Sequence, residues 1–494
     1  MASEIRVDKI THTAGVGTIT PSPTGVHIAG IVTGTTFSGS GASLTNLPAA
    51  NLTGTVADAR FPATLPAASG ANLTSLPAGN LTGTVADARL STVSSSKLSG
   101  ALPALDGSAL TGIGGTDFIH AEQISVSGVT TATAFIPTQG QLSNRNIIIN
   151  GAMQVAQRGT SFAAPADGYT LDRWSVYENL STGQVEVTQE NVTDLIGFTK
   201  AAKINCTTAE AGVPSASGQQ YATYIQQIEA QNLTHIGNGT SSAKTLTFSF
   251  YVKSNVTGTF CVSFYKPDNT TRLLSLPYTI NSANTWEQKT LSLPADTSGG
   301  GINDDNGQGL GVYFILARKT SYSGTTSTSW INYTDTGWAN TCTASIFENV
   351  NDHMFITGCQ LEVGSVATPF EHKKFAEELA LCQRYFCKVA EKGGAAHSVG
   401  VGCNYSSSNA FIRITFPQTM RTTPTLDQLT GSNYYVLFQQ NAYQFFNSFE
   451  SIDSNTATPE GAEIYGTSFS LTQGSACFVR YYNTSAEIRF NAEL

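Results

Sequence analysis

The sequence predicts a mainly β protein: an elongated, intertwined homotrimer with an N-terminal repeat stalk, an antiparallel jelly-roll β-sandwich, a short neck helix and a C-terminal β-rich tip. Three observations predict it. The first 140 residues hold no Trp, Tyr or Cys, whereas the remainder is rich in aromatics and alternating runs. That first part contains a near-exact duplication: Gly41–Pro48 and Asn51–Arg60 recur as Gly70–Pro77 and Asn80–Arg89. Charged residues make up 12% of the 494, about half the usual share. Abundant Gly, Ser, Thr and Asn instead suit β-structure with uncharged, hydrogen-bonding surfaces.

Residues 1–40 open with a short strand, Ile5–His12, and a second alternating Thr/apolar strand is expected at Gly30–Phe37, echoed at Gly128–Phe135. Residues 41–140 form the stalk. The N-terminal 140 residues hold four aromatics (Phe37, Phe61, Phe118, Phe135) and about a dozen charges, so one chain buries too little apolar surface to offset its ordering entropy. Leu44, Leu47, Leu52 and Val56 recur as Leu73, Leu76, Leu81 and Val85, and a degenerate third copy follows at 97–113. Periodic Leu/Val with Gly and Pro punctuation predicts a stacked repeat completed by partner chains, and the spacing fits no heptad. A flexible linker is the alternative.

Residues 141–370 carry strand signals, among them Asn146–Ile149, Gln184–Thr188, Thr245–Val252, Trp286–Leu293 and Gly311–Ala317. Regular strands with turn signals predict an antiparallel sandwich. Residues 371–391 read as the neck helix, because Phe375, Leu379, Cys382, Phe386 and Val389 recur with gaps of four and three. These five are the candidate trimer-neck residues, with packing against the chain's own sheet as the alternative. Residues 392–494 form the tip. Its dense aromatic run is interleaved with amides, and Tyr434, Tyr435, Gln440, Asn441, Tyr443, Gln444 and Phe446 are the candidate glycan-binding residues. Aromatic faces stack on sugar C–H surfaces while amides bind hydroxyls; alternate strand aromatics also commonly form core.

A net charge of −9 without a basic cluster speaks against a nucleic-acid partner. There is no apolar run near the ~18 residues that span a bilayer, and Met1–Val7 lacks the pattern of a signal peptide. Synthesis in a cytoplasm without secretion is expected. Eight cysteines show no Cys-x-x-Cys and read as buried free thiols. Neither a cofactor nor a metal is expected: Gly299–Gly307 offers oxygen ligands but lacks the regular spacing of a calcium loop. Acids are sparse and lie mostly in turns, so no catalytic pair stands out.

Ser143–Gly159, Asp172-Arg-Trp174, Cys359–Glu371 and Glu377–Phe386 together resemble bacteriophage tail-fibre proteins, particularly those of tailed phages infecting cyanobacteria and marine bacteria. The opening strand and the Gln-Leu-Glu element also resemble jelly-roll carbohydrate-binding modules. The resemblance implies a homotrimeric virion protein that adsorbs to a host-surface glycan, lipopolysaccharide-like, without catalysis. Its thin N-terminal end would dock to a baseplate or tail protein. Alternatives are a tailspike depolymerase that cleaves the polysaccharide and a purely structural virion fibre.

Overall fold

A computed structural model describes residues 143–494 apart from 166, 167, 323, 325, 326, 340, 341, 391–396 and 441; among the first 142 it describes 10, 11, 18–36, 38–40, 42, 45, 46 and 48. The duplicated repeats beyond residue 48, the third copy and the 128–135 strand therefore lie outside the described residues. The chain divides into two units, Met1–Ser125 and Val126–Leu494.

In the first unit β1 (Ile10–Thr11), β2 (Thr18–Ser22) and β3 (Gly25–Ala29) form an antiparallel sheet in that order. The tight β2–β3 turn is held by Ser22 Oγ, which donates to the Gly25 carbonyl at 2.9 Å. The strand expected at 30–37 is absent from residues 30–36, which run unpaired with Ile31 and Val32 exposed. Among the described residues, alternation there has neither a partner strand nor a buried face to fix it.

The sandwich of the second unit uses β4 (Ser161–Ala163), β5 (Gly168–Tyr169), β6 (Ser175–Asn179), β7 (Gln184–Asn191), β8 (Lys200–Thr208), β9 (Tyr221–Glu229), β10 (Leu246–Ser254), β11 (Gly258–Lys266), β12 (Arg272–Ile280), β13 (Glu287–Leu293), β14 (Gln308–Arg318), β15 (Ile331–Asn332) and β16 (His353–Val363). One sheet runs β13-β10-β16-β8-β7-β4 and the other β15-β12-β11-β14-β9-β6-β5, antiparallel throughout. Alternate side chains from both sheets meet in one core: Val185, Val187, Phe248, Phe250 and Val252 face Phe260, Val262, Phe264, Val312 and Phe314. The rings of Phe250 and Phe314 pack edge to face at 4.9 Å.

Asn146–Ile149, expected as a strand, is irregular. Its polar side chain explains why. Asn146 donates from Nδ2 to the Cys359 carbonyl (3.0 Å) and accepts at Oδ1 from the Ile148 and Leu361 amides (3.0 and 3.1 Å). A side-chain bridge thus replaces ladder bonds. Asn150 extends the latch: its Nδ2 donates to the Val155 and Asp172 carbonyls, and its own carbonyl accepts from Trp174 Nε1. Gly151 passes so close to Cys359 that a Cβ would lie 2.1 Å from the carbonyl oxygen. The segments that carry the sequence resemblance therefore fasten the sandwich shut.

The loop at 299–307 also has a structural account. The buried Lys266 ammonium donates to the carbonyls of Asp268, Gly299 and Gly300 at 2.6, 3.1 and 3.2 Å. A side-chain cation fills the place where the loop's oxygens converge, and no metal-binding cluster occurs among the described residues.

The neck helix is shorter than expected. Helix α1 spans Phe375–Gln383, and β17 (Phe386–Ala390) follows as a strand. Cys387 and Val389 alternate into the tip core, while the buried Phe386 turns the other way, its ring 3.6 Å from the Arg158 guanidinium. The period is two there, and a short apolar run suits either reading. Glu377 and Glu378 occupy the first turn of α1, as the dipole favours. Arg384 then ties the chain to the buried Glu229 of β9.

The tip adds β18 (Ser398–Asn404), β19 (Ala410–Thr415), β20 (Thr425–Leu429), β21 (Tyr435–Gln439), β22 (Ala442–Phe446), β23 (Ser451–Ile452), β24 (Gly461–Gly466), β25 (Ala476–Tyr481) and β26 (Glu487–Asn491). A seven-stranded sheet, β22-β21-β25-β18-β19-β24-β23, packs its inner face on a three-stranded one, β17-β26-β20. Its outer face is left uncovered by this second sheet.

Candidate functional site

Alternation along the tip strands decides what the outer face presents. On β25, Cys477, Val479 and Tyr481 are buried, so Phe478 and Arg480 point outward. On β19, Ile412 and Ile414 are buried and Phe411 and Arg413 point outward. Strand register then aligns these side chains. Tyr443, Phe438, Phe478, Val401, Arg413 and Glu463 form one transverse row across β22, β21, β25, β18, β19 and β24. At about 4.8 Å per strand the row is roughly 24 Å long. A second row beside it runs Ala476, Cys403, Phe411 and Tyr465, and a third runs Phe445, Val436 and Arg480.

The rings form a platform. Phe438 and Phe478 stack at 4.8 Å, and Phe411 and Tyr465 at 5.3 Å. Tyr443 lies 6.0 Å from Phe438, and Phe445 lies 4.5 Å from Tyr482. Val401 and Tyr443 are 67% and 62% exposed, large values for apolar groups gathered on one face. A cleft of about 670 Å³ is lined by Val401, Phe438, Gln440, Ala442, Tyr443 and Phe478. A second, of about 420 Å³, meets it at Gly402 and is lined by Tyr405, Phe411, Arg413, Asp453, Thr456 and Glu463. Burial pushes the Cys477 thiol, which also lines the first cleft, up to about 11, so it stays protonated and acts as a small apolar group.

Flat aromatic area, an amide rim and the Arg413 guanidinium in shallow clefts suit a ligand with alternating apolar faces and hydroxyls. Two of the expected glycan-binding residues, Gln440 and Tyr443, line the larger cleft. Gln444 is turned away: its Oε1 accepts from the Ser470 amide at 2.9 Å. Tyr435 and Phe446 belong to the core instead. Tyr435 is fully buried, donating from its hydroxyl to the carbonyls of Leu429 and Glu487 (2.9 and 3.1 Å). Phe446 pairs with it in register and packs edge-on against Phe449 and Phe469. Tyr434 is half-buried against the same core, and Asn441 lies outside the described residues.

Phe411, Phe438, Phe478, Arg413, Arg480 and Tyr465 are not among the glycan-binding candidates expected from sequence, although Phe438 belongs to the same aromatic run. The signal available was the alternation of Ala476–Tyr482, which sets Phe478 and Arg480 opposite a run of buried residues. The five neck residues do not share one helix face. Phe375 is 56% exposed and Leu379 half-buried on α1, Cys382 is buried within its own chain, and Phe386 and Val389 lie on β17.

No protein-family model matches the chain, and no curated protein matches it. Among solved structures it is similar to the enzymatically active domain of tailspike protein 4 of bacteriophage CBA120, with 14% identity and a TM-score of 0.26. That match covers 44% of this chain and 21% of the tailspike chain. It is also similar to a CBM4 structure, with 12% identity, 44% of this chain, 98% of that one and a TM-score of 0.23. A third, TmCBM61 in complex with β-1,4-galactotriose, has 8% identity over 45% of this chain and all of that one, with a TM-score of 0.21.

Proposed function

We propose that this chain is a tail fibre of a bacteriophage that adsorbs to its host by non-catalytic recognition of a surface glycan, and that the tip's outer face is the binding surface. The observation that carries the reading is the transverse row Tyr443–Phe438–Phe478–Val401, three rings side by side and an exposed valine on an open sheet face, with a cleft rimmed by Gln440. Such a row accepts an extended oligosaccharide lying across the strands. The fibre is a homotrimer made in the host cytoplasm and held to the tail by its N-terminus. Three shallow sites per fibre, on several fibres per particle, would raise avidity by about 10²–10⁴. Screening the full-length protein against immobilised bacterial surface polysaccharides tests the reading: binding should be present and should weaken in Phe438→Ala and Tyr443→Ala. Binding that ignores both substitutions would place the site elsewhere.

A second reading, cleavage of the bound glycan, is favoured by one observation. Asp453 and Glu463 both line the second, smaller cleft, and paired carboxylates are what glycoside hydrolysis requires. Against it, Asp453 Oδ1 accepts from the backbone and side-chain nitrogens of Asn455 (2.9 and 3.1 Å), closing a turn. Incubation with a bound polysaccharide separates the two. Shortened products that disappear in Glu463→Gln would establish a depolymerase.

A further inference from the structure

The described part of the tip contains four arginines and no lysine. Two of the four are bound by groups of the chain itself. Arg421 donates to the carbonyls of Asn306, Ala492 and Glu493, and Arg489 pairs with Asp427 and approaches Glu487. The other two, Arg413 and Arg480, both stand on the outer face. Arg413 is set opposite Glu463 in register, and its cleft carries Asp453 as well, so that end bears both signs. Arg480 is different. Its register neighbours are Val436 and Ser398, and its guanidinium carbon lies 5.3 Å and 4.9 Å from the ring centroids of Phe438 and Phe478. Among the described residues no carboxylate or carbonyl accepts a hydrogen bond from it.

Two stacked rings therefore hold a guanidinium at the edge of the aromatic floor and consume none of its five N–H donors. Cation–π contact fixes the group without neutralising it. A planar guanidinium with its fork unspent matches the two oxygens of a carboxylate or phosphate. We propose that the ligand of this face is an acidic glycan, and that Arg480 binds its anionic group while the neighbouring sugar stacks on Phe438 and Phe478. The proposal rests on the glycan reading of the same face. Arg413 and Glu463 face each other in register at the far end of the row, so Arg480 would supply the salt-sensitive contact to the ligand.

The test uses the full chain and an array of neutral and acidic bacterial polysaccharides, with each bound acidic sample also presented after carboxyl reduction or after dephosphorylation. Wild-type protein should bind acidic samples, and one of the two treatments should abolish binding, which identifies the anion. Arg480→Gln should bind at least tenfold more weakly and lose salt dependence between 50 and 500 mM (roughly the range where the screening length falls from above 10 Å to a few Å). Arg480→Lys should recover part of the affinity. A melting curve of Arg480→Gln matching wild type confirms that the face is intact. Equal binding of neutral samples, with Arg480→Gln unchanged and Phe438→Ala weakened, overturns the acidic ligand and leaves the glycan reading standing. Binding to no polysaccharide overturns both.

Discussion

Phe438 and Phe478 lie on adjacent strands of the tip with their rings 4.8 Å apart and only 7° from parallel. Both point away from the buried Leu437, Cys477 and Val479. The pair is thus held by sheet register and not by the core. Replacing either ring with Ala should lower stability only by about the value of an aromatic pair, roughly 0.5–1.5 kcal/mol. Urea titration of each variant checks this.

Tyr435 and Phe446 should behave in the opposite way. Tyr435→Ala removes a fully buried ring and should cost about 3–5 kcal/mol. Tyr435→Phe removes only the donor shared by the Leu429 and Glu487 carbonyls, a loss of about 1–3 kcal/mol. Denaturant midpoints for these variants, set beside Tyr443→Ala near wild type, would separate core from surface within one aromatic run.

Lys266 offers a test of the sandwich. Lys266→Met keeps the stem's packing but leaves the carbonyls of Asp268, Gly299 and Gly300 without their donor. Destabilisation of about 1–3 kcal/mol is expected. Added calcium should not reverse it, since the loop presents backbone carbonyls without a regular ring of carboxylates. Thermal melts with and without the ion read both effects.

Glu210 supplies a pH dependence. Burial alone would raise its pKa, but the amides of Thr182 and Gly183 and the Lys319 ammonium prevail and hold it down to about 2. In the unfolded chain a glutamate titrates near 4.3, so between those values the unfolded state binds more protons. The stabilisation by Glu210 is present above roughly pH 4.3 and is lost as pH falls toward 2. Melting temperatures of wild type and Glu210→Gln should converge over that interval and stay apart at pH 6.

The assembly proposal makes its own prediction. Light scattering of the full-length protein should give a mass of three chains, and a single-chain mass would remove the intertwined stalk from the account.

Much of the fold was legible because the strand signals were strong. The runs at 184–188, 245–252, 286–293 and 311–317 all overlap strands, since each packs alternate side chains into the shared core and register is fixed by what must be hidden. Asn146–Ile149 escaped because a side-chain amide takes the role of a ladder, a substitution that composition does not reveal. The end of α1 escaped because Phe386 and Val389 continue the helical spacing while Cys387 and Val389 fit a strand, and so short a run suits either. For the site, composition located the right region, and the parity of each residue decided the rest. Tyr443 and Tyr435 look alike in sequence, yet one is 62% exposed and the other fully buried. The partner strand β25, which supplies Phe478 and Arg480, lies some 35 residues downstream of β21, so register alone brings them to the platform.

The central claim is that an aromatic row on the tip sheet binds glycan. Calorimetric titration of the full chain and of Phe438→Ala with one polysaccharide retained by the wild type tests it most directly. The account predicts at least a tenfold weaker Kd for the variant, about 1.4 kcal/mol, with folding cooperativity preserved. Equal affinities in two equally folded proteins would contradict it.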